Sequence, residues 1–425
     1  VSSRLLGEQF AQTSQNIDFE AGRITPITEE TTTTTLTAGT RGSIYYYENS
    51  IGNQWLQWDQ DYIKVVEGPI PGDTKNRLYW SGYTYPRMSY NTAIVAGSAP
   101  FPTTDYRLGI PAPAALTIGN PANAQDATTT PIDVAYVATY VSNFGEEGPP
   151  SPVTATKTFT PSTQTITITF PSLPSGAYAL AASAGTFPQA AKIRLYRSAV
   201  GSTQAAFQLV TELAISASSH TDNAQPATLA EVIPSTTWIG PPDDDTALYP
   251  DGPMQGLIPV ANGVFAGFTG RRLCLSEPFL PHAWPISYRI TLEKEIVAIA
   301  TTGNGIVCLT DGKPYFVTGT DPSAMVAVEI DLAQACVNKF SVVDMGDYVL
   351  YAGPDGLCAI AGTDGSVVTK GLISPAQWNA DFAPTTYKAF RHEGTYVAFH
   401  ATTSGWVYDP RAQEAAISTT TSSAA

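Results

Sequence analysis

Charged residues are scarce in this chain. They make up 14% of its 425 residues, against roughly 25% in ordinary soluble domains. A surface so poor in charge must be covered by Thr, Ser, Asn and Gly, or by other subunits. What charge there is leans to one sign: 22 Lys and Arg against 37 Asp and Glu give a net charge of -15. Such a chain repels nucleic acid overall, because affinity for DNA comes mainly from Lys and Arg neutralising phosphates; a local basic patch is the most it can hold. Long apolar runs are missing as well. No stretch approaches the roughly 18 residues a membrane-spanning helix needs, so no such segment is expected. Val1 to Phe10 lacks the basic-then-apolar layout of a secretory signal. The four cysteines, Cys274, Cys308, Cys336 and Cys358, are too few and too scattered for a disulfide framework. Each sits in an apolar, strand-like run and reads as a buried free thiol, which fits folding in a reducing cytoplasm. Amphipathic helix patterns are nearly absent, with one short candidate at Glu8–Ser14.

What remains is strand and turn material. Hydrophobic residues make up 43%, enough for a core, and the length suggests two or three domains. Abundant Thr, Tyr, Gly and Pro favour strands and tight turns. These residues recur in a fixed order: a Gly turn, a four-residue strand, a second Gly turn, a further short strand. One copy runs from Asn262-Gly263 through Val264–Gly267 and Gly270 to Leu273–Leu275. Others run from Ile306 through Gly312 to Val317, from Tyr348 through Gly356 to Ile360, and from Tyr396 through Gly405 to Tyr408. The steps are 42 residues from Val264 to Ile306, 42 to Tyr348 and 48 to Tyr396. Short strands at a period of about 40–50 residues are the mark of β-propeller blades. The same scheme recurs near the N-terminus at Ile44–Tyr47, Gly52 and Trp55–Trp58, and more weakly at Arg77–Trp80, Gly82 and Arg87-Met88.

Between the two sets of repeats the pattern changes. Residues 111–234 open with Pro111-Ala112-Pro113 and carry the runs Val134–Val141, Thr165–Phe170 and Ala191–Arg197, separated by Pro-rich turns. This spacing predicts a fibronectin- or immunoglobulin-like sandwich, inserted at a propeller loop. The expected fold is therefore all-β: a β-propeller assembled from residues 1–110 and 235–425, with an inserted β-sandwich over 111–234.

Candidate chemistry is thin. His220, His282, His392 and His400 show no His-Glu-x-x-His spacing and no Cys-x-x-Cys partner, so no metal site is expected. Asp243-Asp244-Asp245 with Asp251 lacks calcium-loop spacing and reads as solvated. Glu146-Glu147, or Glu293 with Glu295, would be the pairs for glycoside cleavage; but strand neighbours face opposite ways, and Glu146-Glu147 falls in a turn. Tyr45-Tyr46-Tyr47 with Trp55 and Trp58 would suit a sugar platform or, more simply, cross-strand packing within a blade. Lys192 and Arg194 share a strand face and Arg197 takes the other; a salt-bridged contact between subunits is expected there. Gly303-Asn304-Gly305 is hairpin chemistry and not a phosphate loop, since no helix follows. No catalytic, cofactor-binding or metal-binding residue is assigned, and no cofactor or enzymatic activity is expected.

Several segments resemble the tail nozzle (tail hub) proteins of short-tailed bacteriophages. They are Phe10–Phe19 with Gly22–Pro26; Trp55–Trp58 with Gly68-Pro69-Ile70, Gly72-Asp73-Thr74 and Arg77; Tyr140–Pro152; and, most specifically, Asn262-Gly263 through Ala266–Phe268, Leu275–Pro278, Pro281-His282-Ala283-Trp284-Pro285 and Tyr288. Thr310–Tyr315 and Pro354–Leu357 complete the set, and the resemblance spans nearly the whole chain. It implies a virion structural protein assembled in the host cytoplasm. In such proteins a homohexameric ring lies below the adaptor ring, continues the DNA ejection channel and docks fibres or spikes. The genome passes through without specific binding. The alternative is a carbohydrate-binding or glycan-cleaving propeller protein of a phage tail, since fold alone does not fix function.

Overall fold

The computed structural model describes residues 17–18, 25–26, 34–48, 51–126, 128–198, 206–303, 305–400, 404–411 and 416–421. The expected helix at Glu8–Ser14 lies outside them, as does most of the segment Phe10–Phe19; within it, Ile17–Asp18 pairs with Thr25–Pro26.

Among the described residues, five sheets are four-stranded antiparallel meanders in sequence order, the construction of propeller blades. A two-stranded hairpin, Ser43–Tyr47 with Gln54–Trp58, precedes them and is called blade 1. Blade 2 comprises Lys64–Glu67, Leu78–Ser81, Arg87–Ser89 and Tyr106–Arg107. Blade 3 comprises Gln255–Val260, Val264–Thr269, Arg272–Leu275 and Ile290–Thr291. Blade 4 comprises Ile296–Thr302, Gly305–Thr310, Tyr315–Thr318 and Val326–Glu329. Blade 5 comprises Val343–Asp344, Val349–Ala352, Leu357–Ala361 and Asp364–Val367. Blade 6 comprises Tyr387–His392, Thr395–His400, Ser404–Asp409 and Ala416–Thr421. Each copy of the sequence repeat supplies the second and third strands of a full blade, and both strands of blade 1.

Apolar side chains between consecutive blades hold the array together. Leu56 and Trp58 of blade 1 pack with Leu78 and Trp80 of blade 2. Val66, Tyr79 and Met88 of blade 2 pack with Leu257, Phe265 and Cys274 of blade 3, although 147 residues separate the two sheets in the chain. Further cores join blades 3 to 4, 4 to 5 and 5 to 6. A middle strand squeezed between two neighbours has no wet face, and Val264–Thr269 is buried at every position. From blade 2 to blade 6 the first strand of each blade touches the first strand of the next, so these strands form the inner wall. Lys388 of blade 6 donates to the Gly42 carbonyl oxygen at 3.4 Å, just ahead of blade 1, and brings the array back to its start. Across the axis, the Tyr62 ring ahead of blade 2 meets the Phe340 ring ahead of blade 5 at 5.5 Å, edge to face.

Between blades 2 and 3 the chain forms two three-stranded sheets. One contains Tyr136–Val141, Lys192–Ser198 and Phe207–Ala214; the other contains Thr117–Ile118, Ile166–Thr169 and Ser219–Asp222. Their shared core includes Tyr136, Ala138, Tyr140, Ile166, Ile168, Ile193 and Leu195. Ile166–Thr169 alternates buried and exposed, as a strand with one wet face must.

All four cysteines are buried and free. Cys274, Cys308 and Cys358 lie on strands, whereas Cys336 lies in a coil ahead of blade 5, which corrects its reading as a strand residue.

Candidate functional site

The densest gathering of charge in the described residues lies where the inserted sheets meet blades 2 and 3. Glu146 and Glu147 sit in the turn after the strand Tyr136–Val141, which bends back through a Gly145 at φ 81°. Gly148 follows so close to blade 2's exit that a Cβ there would lie 2.5 Å from Cγ2 of Ile110. That close approach drives both carboxylates inward. Arg77, at the start of blade 2's second strand, donates to Glu146 at 2.6 Å and to Asp73 at 2.6 Å, all three largely out of water. Its guanidinium also lies 4.7 Å from the Phe144 ring. His282, in the rigid Pro281–Pro285 turn after blade 3's third strand, is buried, with Nδ1 3.6 Å from Glu146 and Nε2 3.1 Å from the Glu147 backbone oxygen.

Glu147 accepts from the hydroxyls of Thr139 and Tyr196, each at 2.6 Å, and from Arg194 at 2.9 Å. Arg194 continues to Glu212 at 2.8 Å, and Lys192 donates to the same carboxylate. Burial alone would push the Glu146 carboxyl up, but His282 and Arg77 more than offset it and hold it at about 2. Glu146 is thus an ionised acceptor, while the Glu147 side chain accepts from Thr139, Tyr196 and Arg194 at once.

An aromatic cluster seals the same seam. Tyr90, just after blade 2's third strand, and Tyr106 of its fourth stack on one another at 6.3 Å, and Phe144 and Phe187 of the insert pack against them at 5.0–5.5 Å.

The other candidates scatter. His392 and His400 occupy opposite ends of one hairpin, His392 beside the turn and His400 opposite Tyr387. His220 is half-buried on the outer strand of an insert sheet, where desolvation lowers its pKa. Asp243 and Asp244 meet Arg107 at 2.8 and 2.5 Å, and Asp251 meets Arg272 at 3.2 Å. The triad is therefore ion-paired in large part, where the sequence suggested plain solvation. Glu295, two residues from Glu293, lies 3.9 Å from Arg271 on the open surface. Tyr46 packs on its cross-strand partner Trp55 at 5.0 Å, while Tyr47 and Trp58 are buried inside blade 1. Lys192 and Arg194, expected to meet another subunit, find Glu212 on the adjacent strand of their own sheet. Arg197 is fully buried and meets Asp222 at 2.7 Å, with the Tyr136 hydroxyl donating to the same carboxylate. Among the described residues no group of three or more His, Cys, Asp and Glu side chains is placed to hold a metal ion, and no helix is long and apolar enough to cross a membrane.

No protein-family model and no curated protein matches the sequence. Solved structures with some likeness include the N-terminal domain of Nup159, at 12% identity over 39% of this chain and 43% of that one, with a TM-score of 0.25. YCF48 from Cyanidioschyzon merolae matches at 13% identity over 51% of this chain and 76% of that one, with a TM-score of 0.26. BBS1N in complex with ARL6DN matches at 13% identity over 61% and 73%, with a TM-score of 0.28. The chain spans less than half of the Nup159 domain.

Proposed function

We propose that this chain is a structural subunit of the tail nozzle of a short-tailed bacteriophage. It would form a ring below the adaptor, continue the DNA ejection channel and dock fibres or spikes. In this reading residues 1–110 and 235–425 make one propeller, and 111–234 is an immunoglobulin-like sandwich held on its side. The observation that carries the reading is the buried junction. Three segments that resemble the nozzle family, Gly72–Arg77, Tyr140–Pro152 and Pro281–Pro285, lie far apart in sequence and meet there through Arg77, Glu146, Glu147 and His282. Their polar groups are spent on holding the insert against the blades, as a load-transmitting scaffold requires.

Two further features support a ring. The Tyr62 and Phe340 rings meet across the propeller axis, so in this reading a duplex passes between subunits and not through one. Exposed apolar side chains among the described residues include Phe390 on blade 6 and two pairs: Ile44 and Tyr46 on blade 1, and Val326 and Val328 on the outer strand of blade 4. A closed head-to-tail ring needs two unlike patches on each subunit, and these are three blades apart. Six copies is the number the family resemblance implies.

The alternative, a glycan-binding or glycan-cleaving propeller, needs acids or aromatic rings converging on an open cleft. Of the pairs considered for that role, Glu146 and Glu147 are taken up by Arg77, His282 and Arg194, and Glu295 lies on the open surface beside Arg271. A glycan array and a hydrolase screen test it; the nozzle reading expects neither binding nor turnover. Reproducible cleavage abolished by changing one carboxylate or histidine would replace it.

A further inference from the structure

Acids outnumber bases in this chain, yet three lysines gather without one among the described residues. Lys64 opens the inner strand of blade 2, Lys339 precedes blade 5 and Lys388 lies on the inner strand of blade 6. Because each sits at or just before the start of a first strand, all three come to the same end of the propeller axis. Their ammonium groups surround the two rings that close it. Lys339 Nζ lies 4.4 Å from the Tyr62 ring centre and 5.3 Å from that of Phe340. Lys64 Nζ lies 5.3 Å from the Tyr62 ring, and Lys388 Nζ 4.9 Å from the Phe340 ring. Each neighbouring pair of cations thus shares one ring.

Among the described residues none of the three pairs with a carboxylate, Asp61 beside Tyr62 included. Among the described residues, the hydrogen bond in the group runs from Lys388 to the Gly42 carbonyl oxygen at 3.4 Å. Cation–π contacts supply roughly 0.5–1 kcal/mol each at exposed sites, while like charges held this close oppose one another. Lys64 is half-buried, and desolvation lowers its pKa. Lys388 is exposed, so the group opens to solvent. Three ammonium groups carry several N–H donors each, and a single carbonyl leaves most of them free.

We propose that this cluster is a binding site for a small phosphate-type oxyanion, seated at the axial end of the propeller against Lys64, Lys339 and Lys388. The rings fix the lysine stems, and a tetrahedral oxyanion supplies the negative charge, and most of the acceptors, that the described residues do not.

The test uses the full chain and inorganic phosphate, with chloride at matched ionic strength as the control for simple screening. Phosphate is expected to raise the thermal midpoint saturably, as a ligand of the folded state must, and chloride to leave it unchanged. The double variant Lys64→Gln/Lys339→Gln is expected to abolish the phosphate-dependent rise, while Lys157→Gln, on the insert, keeps it. Should the double variant fail to fold, the unmodified chain still decides the matter: phosphate is expected to slow acetylation of Lys64, Lys339 and Lys388 severalfold relative to Lys157, read by peptide mass spectrometry. Equal shifts in phosphate and chloride, a rise retained in the folded double variant, or unprotected lysines would each overturn the proposal.

Discussion

Glu146 stays ionised although it is almost out of water, because Arg77 and His282 hold its charge in place. Its pKa in the fold, about 2, lies below the ordinary 4.5. The stability it contributes is therefore fully present above pH ~4.5 and is lost as the pH falls through about 2. Glu146→Gln should destabilise the chain by about 3 kcal/mol at pH 7, since Arg77 then keeps a buried charge with one partner fewer. Urea unfolding at a series of pH values checks this: the gap between variant and wild type should be full at pH 7 and shrink steadily below pH ~4.5. A gap that is constant with pH would show that the carboxylate's charge is not what matters. None of this network was legible in sequence. Arg77 and Glu146 stand 69 residues apart, and no local pattern records a partner at that range. The pair Glu146-Glu147 was readable as turn residues, but not as an ionic anchor. Lys192 and Arg194 were readable as one face of a strand, but Glu212 opposite Arg194 depends on a register that only the folded sheet fixes.

At the scale of the element, the blades were legible where glycine punctuates them. Gly82 shows why. It follows blade 2's second strand at φ 116°, and a Cβ there would lie 2.4 Å from the Tyr62 carbonyl oxygen. Both the backbone conformation and the space demand glycine. Gly82→Ala should cost about 2 kcal/mol or more, beyond the usual loss at a positive-φ site, measurable as a fall in the unfolding midpoint. An unchanged midpoint would mean that the Tyr62 segment yields freely, and with it the closure of the axis. The first and fourth strands were harder to read. Val343–Asp344 is only 2 residues long, and Asp364–Val367 reads Asp-Gly-Ser-Val, with neither alternation nor an apolar run to mark it. Inner strands such as Ile296–Thr302 are mostly buried on both faces, which erases the period-two signal. In the insert the signal survives, because strands such as Ile166–Thr169 keep one face in water.

Over the whole molecule, low charge density and a net charge of -15 set the expected behaviour toward DNA. A basic lining would hold each phosphate it met and slow a sliding genome, whereas a neutral or acidic wall would let it pass. Assembled rings should therefore bind duplex DNA weakly, with little dependence on salt; a steep loss of tight binding between low and moderate salt would contradict the conduit. Particle imaging of this chain mixed with a phage adaptor ring bears most directly on the proposed nozzle role. The account predicts a closed ring of six subunits in head-to-tail contact, with the lumen between subunits and its wall neutral or acidic. A chain that remains monomeric beside the adaptor, or a lumen walled by Lys and Arg, would contradict it.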